Sequence, residues 1–280
     1  MSSSLHPLQT TERIRQNYLR YLKTIYPFQE RDLRDQFWKA LETTDLLVKG
    51  PLLEASPPFK SGRSIEGLIG DGVLHPAFRS LCSPAMPLER PLYLHQEQGI
   101  DKAVHLGRNV IIATGTGSGK TEAFLIPILD HPLREQEAGS LRAPGVRALL
   151  LYPMNALAND QLKRLRRVLG HFPHITFGRY TGETKEREAE AEDAFRDQFP
   201  YEPRLENEFI SRVRMWEEPP HILLTNYAML EYLLLRPRDC NFFDGDTAQY
   251  WRFLVLDEAH VYDGASGIEM AMLLRRLKDR

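Results

Sequence analysis

The sequence predicts an α/β fold with a mostly parallel sheet, and three observations carry that prediction. From Arg90 onward, strand-like apolar runs alternate with helix-like stretches, as expected when helices cover both faces of a parallel sheet. A glycine-rich loop joins the β-branched run Val110–Ile112 to an apolar helix start. A second apolar run, Phe253–Leu256, ends in two adjacent carboxylates. Such a fold places its ligand site at the carboxyl ends of the strands.

Residues 1–89 precede this alternation and are predicted to form a helical accessory region. Two sets of apolar residues recur at helical spacing, namely Ile14, Tyr18, Leu22 and Ile25, then Leu33, Phe37, Trp38 and Leu41. The proline-rich stretch Lys49–Gly62 predicts an extended connector, and a small helical element is expected around Ile65–Leu81. Two interpretations stay open. A structural brace is favoured because no chemical constellation occurs here, and contact with nucleic acid or a partner is the alternative.

Residues 90–280 are predicted to form the second domain. Its expected strands are Val110–Ala113, Val146–Tyr152, Ile175–Tyr180, Ile222–Thr225 and Phe253–Leu256. Helices are expected after Thr121, Asn155, Tyr227 and Gly267. An insertion at about 183–220 interrupts this alternation, and its charged part, Lys185–Phe195, predicts an exposed helix. We interpret the insertion as a solvated segment.

The loop after the first predicted strand has the composition of a phosphate-binding loop. Glycines let backbone N–H groups approach a polyphosphate, and the start of the following helix adds partial positive charge. The candidate nucleotide-binding residues are Thr116, Gly117, Ser118, Gly119, Lys120 and Thr121. Lys120 is expected to reach the β- and γ-phosphates, and the Thr121 hydroxyl to bind Mg²⁺. Thr114 stands where the first glycine of this pattern usually occurs.

The acidic pair after Phe253–Leu256 supplies the second half of the predicted nucleotide site. Asp257 is expected to hold Mg²⁺ together with Thr121, and Glu258 to orient and deprotonate the attacking water. An exposed acidic pair at the start of a loop is the alternative interpretation of these two residues alone. Together with the phosphate-binding loop, they predict hydrolysis of a nucleoside triphosphate.

These motifs resemble those of superfamily 2 helicases of the DExH (DEAD/DEAH-box) group. The stretch TGTGSGKT resembles motif I, and Asp257–His260, which reads DEAH, resembles motif II. Gln96 lies in a Q-motif-like segment, which implies that it reads the adenine edge, and His260 is implied to couple hydrolysis to movement. Three further segments resemble motif Ia, the TG segment and motif Ib, and their candidate nucleic-acid-binding residues are Pro153, Met154, Asn155, Thr181, Gly182, Thr225 and Asn226.

The resemblance implies a first RecA-like domain that binds ATP and Mg²⁺ and contacts nucleic acid. The run from motif Ib to the end most resembles large bacterial DExH helicases linked to DNA repair and phage defence, so DNA is expected rather than RNA. No segment resembles motif III or a second RecA-like domain. We therefore expect the N-terminal part of a helicase, a fragment or one half of a split enzyme, with little activity alone. The alternative is an ATP- and nucleic-acid-binding scaffold with little turnover.

Composition and charge limit the other classes of protein. The net charge is only −2, with 36 basic and 38 acidic residues, so a nucleic-acid surface has to be local. Loops, helix starts and the basic helix Asp160–Gly170 are its candidate locations. The two cysteines offer no zinc spacing and no disulfide framework. No apolar run predicts a membrane span or a signal peptide, so the expected location is the cytoplasm.

Overall fold

The computed structural model describes residues 6–43, 58–81, 83–115 and 117–280, and the chain divides into two compact units, Met1–Pro58 and Phe59–Arg280. The helices are α1 Pro7–Ile25, α2 Arg31–Thr43, α3 Ile65–Gly70, α4 Leu94–Val104, α5 Lys120–Glu137, α6 Asn155–Leu169, α7 Glu188–Gln198, α8 Arg212–Glu217, α9 Tyr227–Leu235 and α10 Gly264–Lys278. The strands are β1 Ser61–Ser64, β2 Pro91–Tyr93, β3 Ala148–Tyr152, β4 Phe177–Arg179, β5 Glu208–Phe209, β6 Ile222–Asn226 and β7 Phe253–Leu256. None of the helices within these ranges combines the length and apolar character needed to cross a bilayer.

The first unit contains the two helices predicted from apolar spacing, and both predictions are confirmed. The ring of Phe37 in α2 lies 5.0 Å from that of Phe28 and 5.9 Å from that of Tyr26, centroid to centroid. The Lys23 ammonium of α1 lies 2.6 Å from the Glu42 carboxylate of α2. Most of the predicted connector, residues 49–57, lies outside the described residues.

The second unit begins before residue 90. The buried side chains of Ile65, Leu68 and Phe78 belong to the same apolar core as Leu125 and Ile126 of α5. They pack there because the short helix α3 cannot bury its apolar face alone. The compact unit therefore includes residues 59–89, which differs from the predicted boundary between 89 and 90. The start of the first RecA-like domain at residue 90 stays a prediction.

A parallel sheet of five strands, in the order β5-β4-β6-β3-β7, forms the centre of the second unit and confirms the predicted fold class. Successive side chains of a strand point to opposite faces. Leu150 of β3 accordingly lies in the core with α5 and α6, whereas Leu149 and Leu151 lie in the core with α9 and α10. Helices thus cover both faces, which explains the nearly unbroken apolar strands.

The strand predicted at Val110–Ala113 is wrong. This segment forms no strand, and Ile111 is 96% exposed. Strand β7 pairs with β3 alone, and a cavity lies between its other side and residues 110–113. Without a neighbour to receive its backbone hydrogen bonds, a β-branched run does not become a strand.

The insertion at 183–220 is less solvated than predicted. Helix α7 confirms the expected helix, and most of its side chains are exposed. Phe195 and Phe199 are nevertheless buried, and β5 is an edge strand of the main sheet. Arg166 of α6 is buried between these two phenylalanine rings and pairs with Glu208 of β5. The insertion is therefore anchored to the rest of the second unit through α6.

His221, just before β6, makes the stability of the second unit depend on pH. Burial, and to a smaller extent the charge of Arg147, lowers the pKa of His221 to about 4. Its Nδ1 accepts a hydrogen bond from the Thr176 amide at 3.1 Å. The folded state holds this ring neutral, whereas the unfolded chain protonates it near pH 6.5. We expect the stabilising contribution of the neutral His221 ring to be complete above about pH 6.5. The free energy of unfolding should fall by about 2 kcal/mol between pH 7 and pH 5.

Urea unfolding at several pH values measures this loss. His221→Asn keeps an acceptor near the Thr176 amide but does not titrate, so the slope between pH 7 and pH 5 should become flatter. An unchanged slope in this variant would assign the pH dependence to other groups.

Candidate active site

The loop before α5 has the backbone geometry of an anion-binding site. Gly119, which caps α5, has φ 69° and ψ 36°, and Gly117 has φ 76°. Residues other than glycine rarely adopt this left-handed backbone region. A Cβ atom at Gly119 would also lie 2.3 Å from Nε2 of Gln96. The loop therefore brings free N–H groups to the start of an 18-residue helix. Thr116 lies outside the described residues.

Side chains of the loop form hydrogen bonds with other groups of the same loop. The Lys120 ammonium donates to the carbonyl of Thr114 at 3.1 Å, and the hydroxyls of Thr114 and Ser118 are 2.6 Å apart. Ser118 is buried, so its side chain shapes the loop from within. Thr114, at the position where a glycine is usual, therefore contacts Ser118 through its hydroxyl and Lys120 through its carbonyl.

The acidic motif lies just beyond the carboxyl end of β7. Oδ1 of Asp257 accepts a hydrogen bond from the Glu258 amide at 2.9 Å. Glu258 has φ 50° and ψ 40°, and it is the one non-glycine residue with positive φ in the described part of the chain. Its carboxylate lies 3.2 Å from Nδ1 of His260. A non-glycine residue held in this conformation is strained, and such strain is typical of functional sites.

The two motifs line one cavity of about 750 Å³, although they lie far apart in the sequence. Thr114, Gly115 and Lys120 line one side, and the acidic motif with His260 lines the other. Burial is the main cause that raises the pKa of Asp257 above its ordinary value, and the charge of Glu258 adds to the rise. The hydrogen bond from the Glu258 amide and the charge of the nearby Lys120 oppose it. The structure thus unites the predicted catalytic residues around one space.

These residues fit a nucleoside triphosphate with Mg²⁺. The loop amides and Lys120 are suited to the phosphates, and the hydroxyl of Thr121 and the carboxylate of Asp257 are suited to the metal. In the described ranges there is no cluster of three or more His, Cys, Asp or Glu side chains that would hold a metal by itself.

Gln96 contacts the phosphate-binding loop directly. Its Oε1 accepts from the Tyr93 amide at 2.7 Å, and its Nε2 donates to the Gly119 carbonyl at 2.7 Å. The side chain is buried, with 3% of the residue exposed. Gln96 therefore fixes the start of α4 against the loop in this structure, and its contact with adenine stays a prediction.

The predicted nucleic-acid residues meet at the same carboxyl edge of the sheet. Nδ2 of Asn226 donates to Oδ1 of Asn155 at 2.6 Å, and Nδ2 of Asn155 donates to Glu183 at 3.0 Å. Met154, which precedes α6, is 58% exposed, and Pro153 is half-buried. The segments that resemble motifs Ia and Ib and the TG segment are thereby joined into one surface.

Two of the predicted nucleic-acid residues have buried side chains. The hydroxyl of Thr225 donates to the Tyr180 carbonyl at 2.6 Å, and Thr181 accepts at its carbonyl from Arg212 at 3.0 Å. Both threonines are fully buried, whereas Gly182 between the strands is exposed and has open space around it. The threonines hold the loops in place, and Gly182 is the accessible member of its segment.

Two carboxylates that contact the candidate sites were not among the candidates taken from the sequence. Glu183 joins the TG segment to Asn155, which in turn bonds to Asn226, and its signal was an acidic residue directly after Thr181-Gly182. Glu122 is a buried acidic residue in the first turn of α5, directly after Thr121. Its Oε1 lies 2.6 Å from the guanidinium of Arg164 in α6.

The basic residues of α6 are not a uniform nucleic-acid surface. Arg164 pairs with Glu122, and Arg166 pairs with Glu202 and Glu208. Only Lys163 and Arg167, among the four basic residues considered on this helix, are exposed. The helix therefore uses half of its positive charge for ion pairs within the second unit.

Sequence comparisons agree with this geometry. The family model described as DEAD/DEAH box helicase matches residues 93–280. The chain is similar to Druantia protein DruE of Escherichia coli (strain UMEA 4076-1), with 29% identity over 362 aligned positions that cover 98% of this chain and 19% of DruE. It is also 30% identical to the ATP-dependent helicase Lhr-Core of Methanothermobacter thermautotrophicus, over 62% of this chain and 18% of that protein. The chain thus spans about a fifth of the length of these relatives.

Solved structures show the same fold. The DUF1998 helicase MrfA bound to DNA superposes with a TM-score of 0.53 at 23% identity, covering 84% of this chain and 26% of MrfA. The DEAD-box helicase Mss116 bound to ssRNA and UDP-BeF superposes with a TM-score of 0.54 at 19% identity, covering 79% of this chain and 38% of Mss116. The family model matches more than half of the chain, over the part that carries both nucleotide motifs. The chain belongs to the DEAD/DEAH box helicase family.

Proposed function

We propose that residues 1–280 form the ATP-binding motor half of an ATP-dependent DNA helicase or translocase, which a second RecA-like domain completes. The observation that carries this proposal is the single cavity that joins Lys120 to Asp257 and Glu258. The candidate nucleic-acid edge lies at the carboxyl ends of the same sheet, on the segments after β3, β4 and β6. Nucleotide and nucleic acid would therefore bind at neighbouring positions on one rigid sheet.

Each catalytic side chain has a role that follows from its position. The loop amides and the Lys120 ammonium hold the phosphates and stabilise negative charge on their oxygens. Thr121 and Asp257 would hold the metal ion, which would neutralise further phosphate charge. The Glu258 carboxylate, which lines the cavity, accepts a proton from the attacking water. His260, 3.2 Å from this carboxylate, would link the position of the carboxylate to that of the surrounding loop.

The need for a second domain is supported by the open side of the cavity. Among the described residues that line it, Lys120 and His260 are the basic side chains, and Asp257 and Glu258 are the acidic ones. Ile111 and Leu254 expose apolar surface beside the cavity, at 96% and 37% exposure. A second domain, on the same chain or a partner chain, would cover this surface and supply further positive charge.

DNA is proposed as the nucleic acid because the motifs resemble DExH helicases linked to DNA repair and phage defence. A role in one of these two pathways belongs to the same proposal. The candidate edge presents amide side chains and helix starts, which suit phosphates and carry little base information. We therefore expect weak sequence preference.

The scaffold function, which binds ATP and nucleic acid with little turnover, is the second candidate. It is favoured by the low positive charge of the cavity lining. The presence of Glu258 favours the motor, because a protein that only binds ATP does not need a general base.

The test is ATP hydrolysis by the complete gene product with its second motor domain, measured without nucleic acid, with single-stranded DNA and with single-stranded RNA. We expect DNA to stimulate turnover at least about tenfold, a size within ordinary coupling energies. RNA should stimulate it less. Lys120→Ala should abolish turnover because the phosphates lose their cation.

The outcomes separate the two candidates. Arg196→Ala, which removes an exposed charge on α7 outside both candidate sites, is the matched control and should keep both turnover and stimulation. Tight binding of ATP and DNA with turnover no higher than that of Lys120→Ala would support the scaffold. Stronger stimulation by RNA would overturn the choice of DNA.

A further inference from the structure

Glu122 is a buried charge between the nucleotide loop and its neighbours. It lies one residue after Thr121, and 7% of its side chain is exposed. Burying a carboxylate is unfavourable unless it is paired and hydrogen-bonded. The contacts that compensate this burial therefore indicate what the residue does.

Three separate segments meet at this carboxylate. Oε1 lies 2.6 Å from the guanidinium of Arg164 in α6 and 3.2 Å from that of Arg90, just before β2. Oε2 lies 3.4 Å from Nε2 of Gln96 in α4. Glu122 itself belongs to the first turn of α5. One side chain thus connects the phosphate-binding helix to α4, α6 and the segment before β2.

Both ends of this connection reach functional surfaces. Nε2 of Gln96 also donates to the carbonyl of Gly119 at 2.7 Å, so the cluster includes the loop itself. Arg164 lies on the same helix as Asn155, whose side chain bonds to Asn226 and Glu183 at the candidate nucleic-acid edge. A helix moves as one body, so a shift at Arg164 also shifts Asn155. Coupling between sites travels through such contiguous contacts.

We propose that Glu122 is a positioning residue that couples nucleotide binding in the phosphate loop to nucleic-acid binding at the start of α6, through its ion pair with Arg164. The inference rests on the proposed function and adds a residue pair that transmits its coupling. Filling the loop with phosphates moves the first turn of α5, and the ion pair passes this movement to α6. By reciprocity, nucleic acid at α6 strengthens nucleotide binding.

The test measures the affinity of the complete gene product for labelled single-stranded DNA, with and without Mg²⁺ and the ATP analogue AMP-PNP. The ratio of the two dissociation constants is the coupling. We expect a ratio of at least about fivefold for the wild type and below about twofold for Glu122→Gln. Arg164→Ala should lower the ratio equally, and this side chain is 27% exposed, so the variant should fold.

A double-mutant cycle shows whether the two residues act together. If they do, the double variant Glu122→Gln/Arg164→Ala should have the same ratio as either single variant. Arg196→Ala, at an exposed position of α7 outside both candidate sites, is the control and should keep the wild-type ratio. Thermal unfolding is measured for each variant, because a merely structural role would lower stability and leave the ratio unchanged.

The outcomes distinguish this inference from the proposed function. Variants that keep the wild-type ratio, or two losses that multiply in the double variant, would overturn the coupling role of the pair. A wild type that binds both ligands with a ratio of one would overturn the inference and leave the proposed function standing. A wild type that binds neither AMP-PNP nor DNA would overturn the proposed function and the inference with it.

Discussion

Glu258→Gln in the complete helicase is expected to lower ATP turnover by about 10²–10⁴-fold, the usual contribution of a general base. The amide is nearly isosteric with the carboxylate but does not accept the proton of the attacking water. Nucleotide binding should change little, because Lys120 and the loop amides are unaffected. Turnover and nucleotide affinity are measured separately, by phosphate release and by titration with a fluorescent ATP analogue.

Two further variants make this result specific. Lys120→Ala should remove nucleotide binding, which separates loss of affinity from loss of chemistry. Glu217→Gln, at an exposed position at the end of α8, makes the same chemical change outside the site and should keep turnover. Wild-type turnover by Glu258→Gln would show that another group is the base.

Residues 1–280 alone are expected to hydrolyse ATP at least about 10³-fold more slowly than the complete enzyme. The reason is that a cationic side chain supplied by a second domain accelerates phosphoryl transfer by a factor of this size. Lys120 and His260 are the basic side chains among the described residues that line the cavity. Charge that develops on the γ-phosphate would therefore lack an arginine. Steady-state phosphate release with saturating single-stranded DNA measures the difference.

Adding the second motor domain in trans should restore part of this turnover. Lys120→Ala serves as the control for contaminating ATPases, since it removes the activity of this site alone. Robust turnover by residues 1–280, stimulated by DNA and absent from Lys120→Ala, would show that the chain is self-sufficient. That result would contradict the proposal that a second domain is required.

The nucleotide motifs were predictable because each one is local. A glycine loop between a strand-like run and a helix start, and an acidic pair after an apolar run, each need only adjacent residues to be recognised. The parallel sheet was predictable for a similar reason, since strands buried on both faces have nearly continuous apolar sequences. The structure confirms β3, β4, β6 and β7 close to their predicted positions.

Other predictions failed where the decisive partner is distant in sequence. Val110–Ala113 has strand-like residues, but it has no strand beside it, and β7 pairs with β3 alone. The charged insertion looked solvated, yet Arg166 binds it to α6. Pairing partners of this kind are set by the folded chain and have no local signature.

The sequence alone therefore determined the family's motifs, the α/β class and the candidate residues for phosphate and metal, because these depend on neighbouring residues and on apolar periodicity. The tertiary structure alone decided that Lys120 and Glu258 line one cavity and that Asn155, Glu183 and Asn226 form one surface. It also decided that Arg164 faces Glu122 instead of solvent. The physical reason is that the sequence around a charged side chain is the same whether the side chain is exposed to solvent or paired with a buried partner. Only tertiary packing brings that partner within reach.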